Sequence, residues 1–401
     1  MMFVGRSDMP EPQNDADVAS QAASQVITDL RVLFVIDSRF PGLGGAEHQA
    51  VKLAQALKAR GVAVEYIAPR VLEEGGHDGP ELDGIPLTYI DYPHIKLVGS
   101  VVLMVKFANY LLKHRGQFDC MHVHVTRLLA ATAGVVRPYS KIPIITKISG
   151  FFEFEGGVLD QRKRYYPLNA ILRLALRNID YVQTISEETR KKLLSSGFRQ
   201  EQIALIPNGI DTSEPPSPMP ESDVFTLGYC GRLREVKGVH VLLDAFAKSK
   251  KERSDAPLKL RLAGSGIAED DLKAQAKALG IDNDVDFIGT IEDTAGFYNS
   301  LDLYVQPSFA EGLPNSVIEA MHAGRAVLAT DIGGNHDLIQ DNVSGRLFPA
   351  GDHEKLSQLI LACYDDQADN LRMGKNGRGV IEGDYGMDTV IDKLVEVYRE
   401  K

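Results

Sequence analysis

Glu311 and Glu319 flank a short segment whose residue types suit the start of a helix. Pro314 fits the first turn of a helix, since its missing N–H would have no partner there in any case. Free backbone amides at such a start bind phosphate, whereas an ordinary helix with an acidic first turn would explain Glu319 but not the loop before it. Glu311 would precede the helix, and both carboxylates can accept hydrogen bonds from hydroxyl groups. The candidate binding residues between them are Gly312, Leu313, Pro314, Asn315 and Ser316.

A second group of candidate residues lies in the loop from Gly231 to Gly238, directly after an apolar run that ends at Cys230. Arg232 offers a fork of hydrogen-bond donors and Lys237 offers a point charge. Together the two cations can neutralise a diphosphate. A solvated, charged turn is the alternative interpretation of the same residues.

A glycine-rich loop near residue 44 offers another place where backbone could approach a ligand. Gly44 and Gly45 open a helical pattern, and glycines at such a position leave backbone amides accessible. The segment from Gly42 to Glu47 lacks the third glycine of a dinucleotide-binding fingerprint. The second predicted strand, at 62–68, does not end in an acidic residue either. The pattern therefore disfavours a dehydrogenase.

The remaining polar patterns predict no metal site. His122 and His124 share one face of a predicted strand without a third ligand, so we interpret them as a hydrogen-bonded pair near a cleft. Asp282, Asp284 and Asp286 precede a strand rather than follow one, and we interpret them as turn residues. Three widely spaced cysteines have neither metal-ligand spacing nor the pattern of a disulfide framework. The sequence thus predicts no cofactor and favours a reducing, cytoplasmic environment.

Two segments raise the question of membrane contact. The stretch from Leu97 to Leu112 is the most apolar one, but Lys106 and Asn109 interrupt it. Because it is also shorter than a spanning helix requires, we interpret it as a buried helix of the fold. Basic residues between 162 and 177 lie among apolar ones, which fits a solvated helix face or a basic surface near a membrane. A peripheral membrane contact therefore stays open.

The candidate residues follow predicted strands of an α/β chain. Short apolar runs such as 31–36 alternate with helical patterns such as 46–60, which is typical of a parallel sheet. Four prolines between 211 and 222 interrupt this alternation, because proline suits neither a helix interior nor an inner strand. The alternation resumes at Phe225. We therefore predict two tandem Rossmann-like domains with a cleft between them, where ligands bind beyond the carboxyl ends of the strands.

The domain boundaries follow from the same pattern. Residues 1–29 are polar and acidic without an apolar core of signal-peptide length, so we predict a disordered leader. Residues 30–211 would form the first domain, 212–222 a linker, 223–384 the second domain and 385–401 a final helix. The chain has 401 residues and a net charge of -11, which suits a two-domain globular protein and disfavours a nucleic-acid binder.

In its motifs and their order, the chain resembles the family 4 retaining glycosyltransferases, which have the GT-B fold. The resemblance puts the family's two glutamates on Glu311 and Glu319 and its phosphate-binding pair on Arg232 and Lys237. One departure is Ser149, which takes the place of a histidine found in many members and could bind the sugar but not act as a base. The other matching motifs are Gly44-Gly45-Ala46-Glu47, His122-Val-His124, Ile185-Ser186-Glu187 and Ile206-Pro-Asn-Gly-Ile-Asp211.

The resemblance also implies an activity: metal-independent transfer of a sugar, with retention, from a nucleotide diphosphate sugar to a glycan or lipid-linked acceptor in polysaccharide or glycolipid assembly. UDP-sugars are favoured over GDP-sugars as donors. The second domain would bind the donor and the first domain the acceptor, and the final helix would pack back on the first domain. Glu311, Arg232 and Lys237 would be the catalytic residues. A nucleotide-sugar 2-epimerase and a non-catalytic nucleotide-sugar-binding protein are the alternatives; the motif pattern argues against both.

Overall fold

A computed structural model of the chain describes residues 26–38, 40–41, 45–72, 79–148, 150, 153–154, 157–163, 167–216 and 218–400, with backbone only at 161 and 167–169. Its strands are β1 Arg31–Ile36, β2 Ala63–Val71, β3 Glu81–Leu82, β4 Ile85–Tyr92, β5 Cys120–His124, β6 Ile144–Ile148, β7 Tyr181–Thr184, β8 Ile203–Leu205, β9 Phe225–Cys230, β10 Leu258–Ala263, β11 Val285–Gly289, β12 Leu303–Gln306, β13 Ala326–Thr330 and β14 Arg346–Phe348. Its helices are α1 Gly45–Ala59, α2 Val98–Lys113, α3 Leu128–Ser140, α4 Pro167–Leu176, α5 Glu187–Ser195, α6 Val239–Glu252, α7 Glu269–Ala278, α8 Thr294–Asn299, α9 Asn315–His322, α10 Gly333–His336, α11 His353–Asp365, α12 Gln367–Asp384 and α13 Met387–Arg399.

The strands form two sheets, one in each half of the chain. The first has the order β3-β4-β2-β1-β5-β6-β7-β8 and is parallel except for the pairing of β3 with β4. The second has the order β11-β10-β9-β12-β13-β14 and is parallel throughout. In both sheets the order reverses beside the first strand, which places a crevice at the carboxyl ends of the strands. The prediction of two Rossmann-like units is confirmed.

Helices cover both faces of the first sheet. On β1, Phe34 packs toward α1 and α13, whereas its neighbours Leu33 and Val35 pack toward α2, α3 and α4. Side chains of a strand point alternately to opposite faces, so a strand covered on both sides must be apolar at every position. This explains the uninterrupted apolar run that marked β1 in the sequence.

The start of the folded chain and the burial of the apolar stretch 97–112 differ from what the sequence predicted. Residues 1–25 lie outside the described part of the chain, but Ile27 is buried and donates its N–H to the Arg60 carbonyl oxygen at 2.6 Å. The folded chain therefore starts before residue 30.

The apolar stretch 97–112 forms α2, but only one side of it is buried, at Gly99, Leu103, Phe107 and Leu111. The interpretation of α2 as a buried helix was therefore correct for one face and wrong for the other.

The final helix α13 lies on the first domain, after the chain has crossed back between the domains. At the crossing, Ile210 pairs with Gly386 in an isolated bridge. Near the end of α13, the hydroxyl of Tyr398 lies 2.7 Å from Nδ1 of His122 in the interior. Of the predicted histidine pair, His122 thus has a partner, whereas neither ring nitrogen of His124 has one among the described residues.

We predict that Tyr398→Phe lowers the free energy of unfolding of the first domain by about 1–3 kcal/mol, because it leaves a buried imidazole nitrogen without a partner. Urea denaturation followed by circular dichroism measures the change. Tyr139→Phe is the matched control, since that tyrosine is 68% exposed. Equal stability of the two variants would contradict the importance of the contact.

Candidate functional site

The start of helix α9 leaves backbone amides without partners. Pro314 occupies the N-cap position, and no side chain caps the helix. The carbonyl oxygen of Pro314 accepts bonds from Val317 and Ile318, but the amides of Asn315 and Ser316 bond to no described residue. Together with the helix dipole, such amides form a phosphate-binding position. Pro314 and Leu313 are buried and fix the backbone of this turn.

Glu311 is held by one of its two carboxylate oxygens. Its Oε1 accepts hydrogen bonds from Gln306 Nε2 at 2.7 Å, Ser308 Oγ at 2.7 Å and Lys237 Nζ at 2.6 Å. Its Oε2 accepts none from the described residues. Three bonds to one oxygen fix the side chain, and the second oxygen is left for a ligand hydroxyl.

Lys237 reaches Glu311 because two loops at the carboxyl ends of β9 and β12 are tied together. The Phe309 amide donates to the Val236 carbonyl oxygen at 2.8 Å. Gly238 follows Lys237 with φ 67° and lies so close to Pro307 that a Cβ would fall 2.0 Å from its carbonyl oxygen. Only glycine fits there, since it tolerates both the positive φ and the contact. Gly238 therefore sets the position of Lys237.

Arg232 lies in the same loop but is not held in place. It is exposed, and its guanidinium bonds to none of the residues that the structure describes. The preceding Gly231 packs against the Tyr229 ring, and a Cβ on Gly264 would lie 1.9 Å from the Gly231 carbonyl oxygen. The structure therefore brings Lys237 and Glu311 together, while Arg232 stands free at the rim.

Glu319 lies on the second turn of α9 and is half-buried. Tyr298 donates its hydroxyl to Glu319 Oε2 at 3.0 Å. Burial raises the pKa of Glu319, while that bond and the charges of Lys52 and His48 on α1 act in the opposite direction. Glu319 and Tyr298 also line a cavity of about 700 Å³, which Lys52 and other residues of the first domain close on the far side. The carboxylate thus faces the space between the domains.

The first domain meets the start of α9 at two points. Asn208 Nδ2 donates to Asn315 Oδ1 at 2.8 Å. Gly45 faces the same side chain, since a Cβ on it would lie 3.8 Å from Asn315 Nδ2. Of the other two residues predicted on this side, Gly44 and Ser149 lie outside the described part of the chain. The two sheets therefore share a cleft whose centre is the start of α9.

Several residues of the site were missed in the sequence. Gln306 and Ser308 hold Glu311, Tyr298 holds Glu319, and Asn208 holds Asn315. Asn208 lies in a motif noted above and so had a signal, whereas Gln306 is the last residue of β12. Among the described residues, no group of three or more histidines, cysteines, aspartates or glutamates could hold a metal ion.

Comparisons with known proteins identify the family. The model of "Glycosyltransferase Family 4" matches residues 43–214, and that of "Glycosyl transferases group 1" matches residues 212–380. An uncharacterized glycosyltransferase of Haemophilus influenzae is 31% identical over 221 residues, which are 55% of this chain and 61% of that protein. The D-inositol 3-phosphate glycosyltransferase of Arthrobacter sp. is 26% identical over 84% of this chain and 86% of its own length. The structure of Anabaena Alr3699/HepE in complex with UDP is similar with a TM-score of 0.75 and 20% identity, covering 92% of this chain and 99% of that one.

We predict that Gly238→Ala destabilises the second domain and weakens nucleotide binding, because the added Cβ displaces the turn that positions Lys237. Gly280→Ala is the control: Gly280 has φ 71° but nothing within 4 Å of an added Cβ. In thermal melting, Gly280→Ala should lose roughly 1–2 kcal/mol of unfolding free energy, from the strain of positive φ alone. Gly238→Ala should lose more, because its Cβ also meets Pro307. Similar losses in both would mean that the contact with Pro307 is unimportant.

Proposed function

The chain belongs to the family 4 glycosyltransferases and has their GT-B fold, and we propose that it transfers a sugar from a nucleotide diphosphate sugar to a hydroxyl group of a glycan or lipid-linked acceptor. The observation that carries this proposal is the Lys237–Glu311 contact beside the free amides of α9. It combines a cation, a phosphate-binding helix start and a hydroxyl-binding carboxylate within one cleft.

In this proposal the donor diphosphate lies between Lys237, Arg232 and the amides of Asn315 and Ser316. Negative charge grows on the leaving phosphate as the glycosidic bond breaks, and fixed cations and dipoles stabilise that charge more than they stabilise the ground state. The free oxygen of Glu311 orients the sugar through its hydroxyls, and Glu319 accepts bonds from the ribose. No metal ion takes part.

Attack by the acceptor hydroxyl on the face of the leaving group retains the anomeric configuration, with the leaving phosphate as the base. The first domain supplies the acceptor side of the cleft through Gly45, and we expect Gly44 and Ser149, which lie outside the described residues, to bind substrate as well. Closure of the domains excludes water and limits hydrolysis of the donor. We favour UDP-sugars over GDP-sugars, and the UDP complex of the similar Anabaena protein supports that preference.

We predict that Lys237→Ala lowers the rate of sugar transfer by two or more orders of magnitude, since one cation beside a leaving phosphate contributes at this scale. A panel of UDP- and GDP-sugars in a thermal-shift assay first identifies the donor, and transfer is then measured by chromatography. NMR of the product determines its anomeric configuration.

Lys273→Ala is the matched control, because that lysine is exposed and its contacts are Glu269 on its own helix and the ring of Phe287. Near-normal transfer by a folded Lys237→Ala variant would refute the assignment. Incubation with the nucleotide sugar alone tests for an epimerised product, and binding without transfer over a broad acceptor panel would indicate a non-catalytic protein.

Peripheral contact with the cytoplasmic face of a membrane is part of the proposal, through the outward faces of α2, α3 and α4, termed the three-helix face. These helices pack side by side. The segments 93–118, 120–141 and 161–178 that contain them have lysines and arginines but no aspartate or glutamate, although the whole chain is acidic. Apolar side chains more than half exposed lie there at helical spacing: Val101 and Val105, Val135 and Tyr139, Ile171 and Leu174.

An exposed apolar surface on helices that contain basic but no acidic residues suits an anionic bilayer, since it gains from burial and from charge attraction. Arg137 and Arg162 are paired with Asp180 and Asp160, so the other basic residues supply the attraction. No helix among the described residues is both long and apolar enough to cross a membrane. The surface therefore supports contact with one leaflet, where a lipid-linked acceptor would lie.

We predict that the double variant Val101→Glu with Ile171→Glu loses most of its affinity for vesicles that contain phosphatidylglycerol, by about tenfold or more, because both changes place a charge in the apolar face. Co-sedimentation measures binding. Leu371→Glu, which alters a 52% exposed leucine of the second domain, is the control. Equal vesicle binding by both proteins would remove the three-helix face from the proposal.

A further inference from the structure

A buried polar cluster at the carboxyl edge of the first sheet has no role in the reaction described above. Lys147 on β6 lies in register between His124 on β5 and Gln183 on β7. Residues in register on neighbouring strands point to the same face, so these three side chains are adjacent. His122 lies on the same face as His124 and stacks on it, with 4.3 Å between the ring centroids.

Lys147 carries a positive charge without a counter-charge. It is only 4% exposed, and its ammonium has no hydrogen bond or ion pair with a described residue. The titratable groups that face it are His122 and His124, and burial keeps both imidazoles neutral by lowering their pKa values, that of His122 to about 3. No carboxylate among the described residues acts on Lys147, and burial lowers its pKa to about 8, so the ammonium is still protonated at neutral pH.

Polar atoms near Lys147 also lack hydrogen-bond partners. Both ring nitrogens of His124, the in-register neighbour of Lys147, are buried without a hydrogen-bond partner among the described residues, and so is Oδ1 of Asn208, whose amide nitrogen bonds to Asn315. Buried polar groups in native proteins are nearly always satisfied, and a buried charge is normally paired. An unpaired ammonium next to an unpaired imidazole indicates that the cluster is completed by something that binds there.

The cluster is linked to the start of α9 through the segment that follows β8. Gln183 Nε2 donates to the Ile206 carbonyl oxygen at 2.9 Å. Two residues further along, Asn208 bonds to Asn315, the first residue of α9. Gln183, the in-register neighbour of Lys147, is thus linked through two hydrogen bonds to Asn315 at the start of α9. The flexible four-carbon chain of Lys147 allows the ammonium to move toward a ligand above it.

We propose that Lys147 is an anion-binding residue of the first domain, and that it contacts a phosphate group of a substrate at the floor of the cleft. The inference rests on the proposed transfer reaction. Two sources could supply the phosphate: the donor diphosphate, or a phosphate of a lipid-linked acceptor. A purely structural lysine would instead need a partner within the protein, and none of the described residues provides one.

The test compares the wild type with Lys147→Met, which keeps the length of the side chain and removes the charge. Isothermal titration calorimetry measures binding of UDP and of GDP, and then of inorganic pyrophosphate with and without saturating UDP. Lys113→Met, on an exposed lysine of the same domain, is the control. Lys147→Gln repeats the measurements with a polar neutral side chain if the methionine variant does not fold.

A tenfold or greater loss of affinity for UDP in Lys147→Met assigns the residue to the donor diphosphate. Unchanged UDP affinity with a similar loss for pyrophosphate in the UDP complex assigns it to an acceptor phosphate. Affinities within twofold of the wild type for every probe overturn the inference. If the wild type itself binds neither UDP nor GDP, the proposed reaction fails, and pyrophosphate without nucleotide still decides whether Lys147 binds anions.

Two further measurements separate binding from structure. The melting temperature of Lys147→Met should rise, because an unpaired buried charge is removed. The wild type should also gain stability relative to the variant as the pH rises from 8 to 10, since the unfolded lysine binds its proton more tightly than the folded one. Lower melting temperatures for both the methionine and glutamine variants would show a structural role and overturn the inference.

Discussion

The ion pair between Lys237 and Glu311 is the interaction on which the site depends. It joins the loop after β9 to the loop after β12, and neither partner is more than a quarter exposed. Removing one partner of such a pair leaves a poorly solvated charge and typically costs about 3–5 kcal/mol. The surrounding structure is arranged around this pair: Gly238 turns the backbone, and Gln306 and Ser308 bind the same carboxylate oxygen.

The pair also explains how the cleft can be stable without a ligand and still receive an anion. Glu311 neutralises Lys237 while no phosphate is bound, and its other oxygen stays unoccupied. A diphosphate that approaches the amides of Asn315 offers Lys237 a second negative partner without requiring the first to be broken. The cation therefore needs little rearrangement when the ligand arrives, which is the condition for electrostatic stabilisation of a leaving group.

The sequence predicted most of what depends on local pattern. Uninterrupted apolar runs located buried strands such as β1, although not β4 or β14, and Pro314 located the start of α9 within a residue. Long-range contacts were harder to predict, because nothing local marks them. Tyr298 supports Glu319 from another helix, and the outward apolar face of α2 could not be separated from its buried face by composition alone. Ile27 is another case, since its burial depends on Arg60 rather than on its polar neighbours.

One physical regularity connects the features that the sequence located and those that it missed. A folded chain normally pairs its buried or rigid polar groups, because each unpaired one costs free energy. Among the described residues, unpaired groups occur elsewhere too, such as Nε of Arg346 and Oδ1 of Asn370, but those near the cleft include two amides of α9, one oxygen of Glu311 and the ammonium of Lys147. Most of these are donors or cations, so they share a preference for negative charge. An anion with several oxygens is the simplest single partner that would complete the amides of α9 and Lys147 together.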